Sequence, residues 1–255
     1  MLYGFYQSAA GIQSSSYRQD VIANNLANSE TAGFKRDIAL FDQRLTEAQK
    51  RGGGPGALTN PLLENLGGGL LAHPTHVDTS QGDLEPTANP LDVAIEGRGF
   101  FQVQNAKGEK FLTRDGQFST DRAGNLILAN TDGDRVLDAQ GHPIQLPLGA
   151  GPVQFARDGT ISTNSKPRAR VGLFDVEDLS ALKKQGETLL SFDNQTLKPA
   201  AGVFRPEYIE RSNVDPTTEL AELMDTQRQL EANANMIRYQ DQTLGRLVNE
   251  VGKIG

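Results

Sequence analysis

Histidine is the side chain best placed to move protons or hold a metal near neutral pH, and the chain carries three, His73, His76 and His142. His73-Pro-Thr-His76 with Asp78 close behind supplies ligand types that zinc accepts. An i, i+3 pair around a proline with no third strong ligand nearby falls short of a zinc site, so the stretch reads as a polar loop. Asn130-x-Asp132-x-Asp134 begins like a calcium loop, but Arg135 stands where glycine is required and the closing Glu is missing. It reads as a solvated turn. Gly97-x-Gly99 has no third glycine and no helix after it, which rejects a dinucleotide site. No Gly-rich loop ends in Lys-Ser or Lys-Thr, no Gly-x-Ser-x-Gly elbow occurs, and there is no cysteine for thiol or zinc-thiolate chemistry. Enzyme is the disfavoured class, and no cofactor, catalytic residue or metal is expected.

With chemistry set aside, the bulk properties decide what remains. The chain has 255 residues, enough for one large domain or two modest ones. At 37% hydrophobic and 22% charged residues it is neither a membrane protein nor a disordered polyanion. A net charge of −7 opposes nucleic-acid binding, which needs a basic footprint. No apolar run reaches the ~20 residues that span a bilayer. The N-terminus lacks the basic n-region of a Sec signal, since Arg18 is its first cation. Read on composition alone, this is a cytoplasmic protein.

The ends differ from the middle. Phe5, Ile12, Gln19 and Leu26 recur every seven residues, with Leu2, Ala9, Ser16 and Ala23 three before each. That spacing predicts a helix over about 2–26 with a small-residue face open to close approach by another backbone. Gly11 in its middle costs about 1 kcal/mol against alanine, so the helix needs a partner. At the other end, Asp215-Pro216 is a helix start. Leu223, Leu230, Ile237, Leu244 and Val251 then repeat every seven residues, with Leu220, Gln227, Ala234, Asp241 and Val248 three before each. Periodicity fits either a coiled-coil seam or a long amphipathic helix lying on its own domain.

Between the ends, short strand-like runs alternate with Asp/Asn-Gly turn chemistry from about 90 to 210. Thr113-Arg-Asp-Gly116 is echoed by Ala156-Arg-Asp-Gly159, which reads as repeated turn usage. The predicted fold is α+β: long N- and C-terminal helices forming a coiled-coil-like helical domain, around a central, mainly antiparallel β-domain. The segments are 1–49 (N-terminal assembly helix with its adjoining segment), 50–89 (a Gly/Pro-rich linker without regular structure), 90–211 (β-domain) and 212–255 (C-terminal assembly helix).

The most specific text closes the first helix: Asn24-Asn25-Leu26-Ala27-Asn28-Ser29-Glu30-Thr31-Ala32-Gly33-Phe34-Lys35-Arg36. Asparagine caps and tolerates left-handed backbone, Gly33 allows a sharp redirection, and Phe34 can anchor the exit. As a whole the string resembles the signature of the bacterial flagellar basal-body rod family, in which N-N-L-A-N leads into T-x-G-[FY]-[KR]. Tyr6-Gln-Ser-Ala-Ala-Gly11-Ile12 is similar to that family's opening, with Ile12 in place of Met. Gly99-Phe-Phe-Gln-Val103 and Thr113-Arg-Asp-Gly116-Gln-Phe118 resemble its central β-region, and Ser212-Asn-Val214 its C-terminal helix start. Gln227-Arg-Gln-Leu230-Glu-Ala-Asn233 is similar to Q-R-x-[YF]-E-x-N, with Leu230 replacing an aromatic residue.

The resemblance implies a structural subunit that polymerises with itself and with other flagellar rod and hook axial proteins. It implies export by the flagellar type III apparatus without a cleaved signal, contact with surrounding basal-body rings, and a place in a periplasm-spanning rod; it thereby replaces the cytoplasmic reading. The expected assembly interface is Phe5, Ile12, Asn24, Asn25, Leu26, Asn28, Gly33, Phe34, Leu220, Leu223, Gln227, Leu230, Ala234, Ile237, Leu244, Val248 and Val251. Neither nucleic acid nor membrane insertion is expected. A distal-rod subunit is favoured over a proximal one. The alternatives are a hook-type axial protein, a soluble coiled-coil dimer acting as a binding module, and a hydrolase on a β-scaffold.

Overall fold

The computed structural model describes residues 2–43, 69–129, 133–147, 151–193 and 195–251. Helices α1 (Leu2–Ala27) and α2 (Pro216–Val251) bracket a series of short strands, so the architecture is α+β. The chain divides into two compact units. A helical unit takes Met1–Leu26, Ile38–Thr75 and Pro216–Gly255, and a β-unit takes Ala27–Asp37 and His76–Asp215. The backbone therefore passes between the units four times.

In the β-unit, a seven-stranded antiparallel sheet has the spatial order 183–185, 189–191, 110–113, 101–104, 135–136, 126–128, 118–120. Period-2 alternation gives this sheet two apolar faces. Phe101, Val103 and Phe111 belong to one cluster, in which Phe118 stands edge-on to Phe101 at 5.1 Å and Phe204 stacks on it at 5.9 Å. Leu112, opposite Leu190 in the register, belongs to the other cluster with Phe100, Val77, Val176 and Leu182. Turns carrying Gly108, Gly124 and Gly159 join strands only three or four residues long, as the turn chemistry of the sequence predicts. A second antiparallel sheet takes Val153–Phe155, Thr160–Thr163 and Lys166–Arg170.

The linker reading fails over its described part. Residues 70–77 form a strand paired with Asp37–Gln43, and Leu84–Pro86 pairs with Tyr208–Glu210. Proline is tolerated because in a two-stranded ribbon every strand is an edge. His73 and His76 thus lie on a strand rather than a loop, and a spacing of three on a strand sends their side chains to opposite faces. His73 Nε2 lies 2.8 Å from Asp42 Oδ2. Most of the Gly-rich stretch, 50–68, and the acidic turn at 130–132 lie outside the described residues.

Candidate functional site

Within the helical unit, α1 and α2 run antiparallel in contact. A Cβ on Gly4 would lie 2.7 Å from Gln240 Nε2, and one on Gly11 would lie 2.8 Å from Asn233 Nδ2. Asn25 Nδ2 donates to Glu219 Oε2 at 3.3 Å. Position 4 faces 240, 11 faces 233 and 25 faces 219, so the contacts fall at multiples of seven on both helices. Glycine in α1 is what lets the amides of α2 reach its backbone. This explains why a residue that weakens an isolated helix sits at position 11.

The line of α2 toward α1 is Glu219, Leu223, Thr226, Leu230, Asn233, Ile237, Gln240 and Leu244, all buried or half-buried. It keeps the expected leucine series but combines it with the residues four before, rather than three before, each member. Leu220 is 50% and Val248 71% exposed, and Gln227 and Asp241 are exposed too, so these do not line the contact inside one chain. Ala234 is half-buried. The same one-residue offset holds on α1, where Ser8, Ser15 and Ile22 are buried while Ser16 and Ala23 are exposed. A heptad repeat permits a neighbour three or four residues away. The polar character of Glu219, Thr226, Asn233 and Gln240 hides the correct choice: Gly11 and Gly4 make room for Asn233 and Gln240, and Asn25 pairs with Glu219. Thr226 satisfies its hydroxyl by donating to the Glu222 carbonyl at 2.8 Å.

Of the remaining expected interface residues, Phe5 is 41% exposed, Asn24 is exposed, and Ile12 and Leu26 are half-buried. The side chain of Val251 lies outside the described residues. Asn25, Asn28, Gly33 and Phe34 are buried. Among the described residues, twelve large hydrophobic side chains are exposed, and all but Val203 belong to the helical unit. They include Phe5, Tyr6, Leu220, Met224, Met236, Tyr239 and Val248 on the two helices. The single chain leaves its apolar surface where the helices are, which is the pattern of a surface awaiting a protein partner.

A second cluster lies wholly in the β-unit and gathers the signature string. Gly33 has φ +70°, and a Cβ there would meet Asp115 N at 2.2 Å, so only glycine fits. Its N–H donates to the Glu210 carbonyl at 2.8 Å. Phe34 is fully buried beneath the Lys184 ammonium, which lies 3.6 Å from the ring centroid and donates to Asp37 Oδ2 at 2.7 Å. The Glu210 carboxylate, fully buried, pairs with Lys35 on one oxygen and with Arg114 Nη1 at 2.9 Å on the other. Gly82 N–H donates to the Lys35-facing oxygen at 3.0 Å. Burial pushes the Lys35 ammonium below its ordinary value, and the Glu210 carboxylate opposes that shift. Burial lowers Lys184 likewise, against the hydrogen bond it donates to Asp37.

Arg114 separates the two look-alike turns of the sequence. Thr113-Arg-Asp-Gly116 is buried through Asp115 and contributes Arg114 to this charge cluster, whereas Ala156-Arg-Asp-Gly159 is a hairpin turn with Arg157 and Asp158 exposed. Sequence reasoning misses Lys35, Arg114, Glu210 and Asn213 as site residues, because isolated charged and amide residues ordinarily read as solvated surface. Lys35, Arg114 and Asn213 each stand in a string that resembles the family, whereas Glu210 stands in none.

Three family descriptions match the chain: "Flagella basal body rod protein" over residues 6–35, "Flagellar hook protein FlgE/F/G D1 domain" over 94–163, and "Flagellar basal body rod FlgEFG protein C-terminal" over 205–250. They fall on α1 with the signature string, on the β-unit, and on the approach to and length of α2. The flagellar basal-body rod protein FlgG of Buchnera aphidicola subsp. Acyrthosiphon pisum is 31% identical over 97% of this chain and 99% of the relative. FlgG of Bacillus subtilis is 30% identical over 98% and 99%, and the rod protein FlgF of Caulobacter vibrioides is 33% identical over 92% of each. From signature string to terminal helix, the chain belongs to the flagellar basal-body rod protein family and is a structural subunit of the bacterial flagellum's basal-body rod.

Proposed function

We propose that the helical unit is the polymerising part of the subunit, with α1 and α2 as a coiled-coil-like pair whose outer faces pack on copies of this chain and on other rod and hook axial proteins. The carrying observation is the confinement of exposed large hydrophobics to that unit, Val203 excepted. Burying one such side chain contributes about 1.5–3 kcal/mol, so a stripe of them outweighs the cost of ordering two helices between neighbours. A heterologous contact whose rotation does not close builds a helical filament, and repetition of this one gives a tube with the helices as its wall. Leu220, Gln227 and Val248, turned away from α1, serve this contact between subunits rather than the contact within one.

Surrounding basal-body rings are further partners of the subunit in this reading. The type III apparatus exports the chain, and the finished rod crosses the periplasm. Of the two rod positions, we favour the distal. Electron microscopy of basal bodies from cells lacking the chain tests this: a stub with its proximal rod in place is the expected result, and a full-length rod carrying a hook would overturn it.

A further inference from the structure

The four backbone passages between the units, at 26/27, 37/38, 75/76 and 215/216, leave the β-unit from three segments. Those segments, 33–36, 78–82 and 210–213, are tied together by two side chains. Asn213 Oδ1 accepts from Arg36 N–H at 2.7 Å, while its Nδ2 donates to the Asp78 carbonyl at 3.0 Å and to Ser80 Oγ at 2.9 Å. Glu210 accepts from Lys35, Arg114 and Gly82 N–H, and the Lys35 ammonium donates onward to the Ser80 carbonyl at 2.7 Å. Backbone bonds complete the knot: Asp78 N–H to the Arg36 carbonyl and Gly33 N–H to the Glu210 carbonyl, both at 2.8 Å.

We propose that Glu210 and Asn213 are positioning residues that clamp the exits of the chain from the β-unit. The points at which the chain leaves the β-unit then form one fixed frame instead of independent peptide tethers. The chemistry suits the task. A half-exposed asparagine bonds to two segments distant in sequence and a buried carboxylate to three, so no segment can shift without breaking a bond to the others. Arg114 anchors the frame to the sheet by donating from Nη2 to the Gly97 carbonyl at 2.8 Å, with its guanidinium over the Phe100 ring at 5.1 Å. The inference rests on the assembly reading only for its purpose, since the clamp is a property of one chain.

The test uses the full chain, whose lack of cysteine allows clean labelling at Gln229→Cys on α2 and Lys107→Cys on the β-unit, diluted with unlabelled protein. In pulsed electron-electron resonance, Asn213→Ala should broaden the label–label distance distribution about twofold and speed exchange of the Arg36 amide about tenfold, with the β-unit melting temperature nearly unchanged. Asn213→Asp retains the acceptor for Arg36 and loses the donor to 78–80, so it should protect the Arg36 amide yet still broaden the distribution. A distribution as narrow as that of the unsubstituted chain in both variants overturns the proposal. Should the unsubstituted chain fail to polymerise while the widths still differ, the assembly reading falls and the clamp stands. Polymerisation with unchanged widths gives the reverse.

Discussion

At the scale of single residues, the buried carboxylate of Glu210 is the position on which most depends. Two cations and a backbone N–H neutralise it in a site without solvent exposure. Removing one partner leaves a buried charge short of compensation, which typically costs about 3–5 kcal/mol. Lys35→Met should therefore lower the unfolding free energy of the β-unit, read from urea titration as the fall in midpoint times the m-value, by that amount, far beyond what loss of an exposed pair such as Arg205–Glu96 does. The turn aspartates set a pH limit. Hydrogen bonds from the Asn125 side chain, the Thr160 amide and the Ser180 hydroxyl hold Asp121, Asp158 and Asp178 below their ordinary 3.8. A carboxyl whose folded value is depressed contributes stability above its unfolded value, and that contribution is lost as pH falls through the folded one. Thermal melts should be flat near neutrality and fall below about pH 4, and replacing all three by Asn should flatten that fall. Lys35 and Arg114 stand in strings that resemble the family, but their meeting with Glu210 is not legible in the sequence. Lys35 and Glu210 are 175 positions apart, and only their tertiary meeting tells either from a surface charge.

At the scale of elements, the helices are legible in the sequence and their register is not. A run of seven-residue repeats places α1 and α2 to within a residue or two of Leu2–Ala27 and Pro216–Val251, because periodicity and the Asp215-Pro216 start are local signals. Which side of the leucine series faces α1 is set by the partner, by glycines that admit Asn233 and Gln240, and no single-helix pattern carries that information. The strand Leu70–Val77 is hidden for a related reason: glycine and proline content describes tolerance for turns, whereas a two-stranded edge also accepts them. The glycine contact yields an element-scale prediction. Gly11→Val adds a branched side chain where Asn233 Nδ2 already sits 2.8 Å from a Cβ, so the helices must part. Circular dichroism should show reduced helicity, with the thermal transition of the β-unit retained.

At the scale of the whole molecule, the two units present opposite surfaces. The sheet edge at Lys166–Arg170 is lined by Lys166, Pro167, Arg168 and Arg170, all exposed, which is how an edge strand is kept from pairing with another sheet. The helical unit does the reverse, with Phe5, Tyr6, Met236, Tyr239 and Val248 left in solvent. In the assembly proposed above, growth is thereby directed to the helices, and the Lys166–Arg170 edge is protected from pairing with another sheet. The decisive measurement is light scattering and electron microscopy of purified chain across a concentration series, with and without Met236→Ser, Tyr239→Ser and Val248→Ser combined. These three sites are exposed in the single chain, so the substitutions leave its own helix contact intact. The unsubstituted chain should grow into filaments without saturating while the triple variant stays a folded monomer; filaments from both, or a closed dimer from the unsubstituted chain, would contradict assembly through the helices.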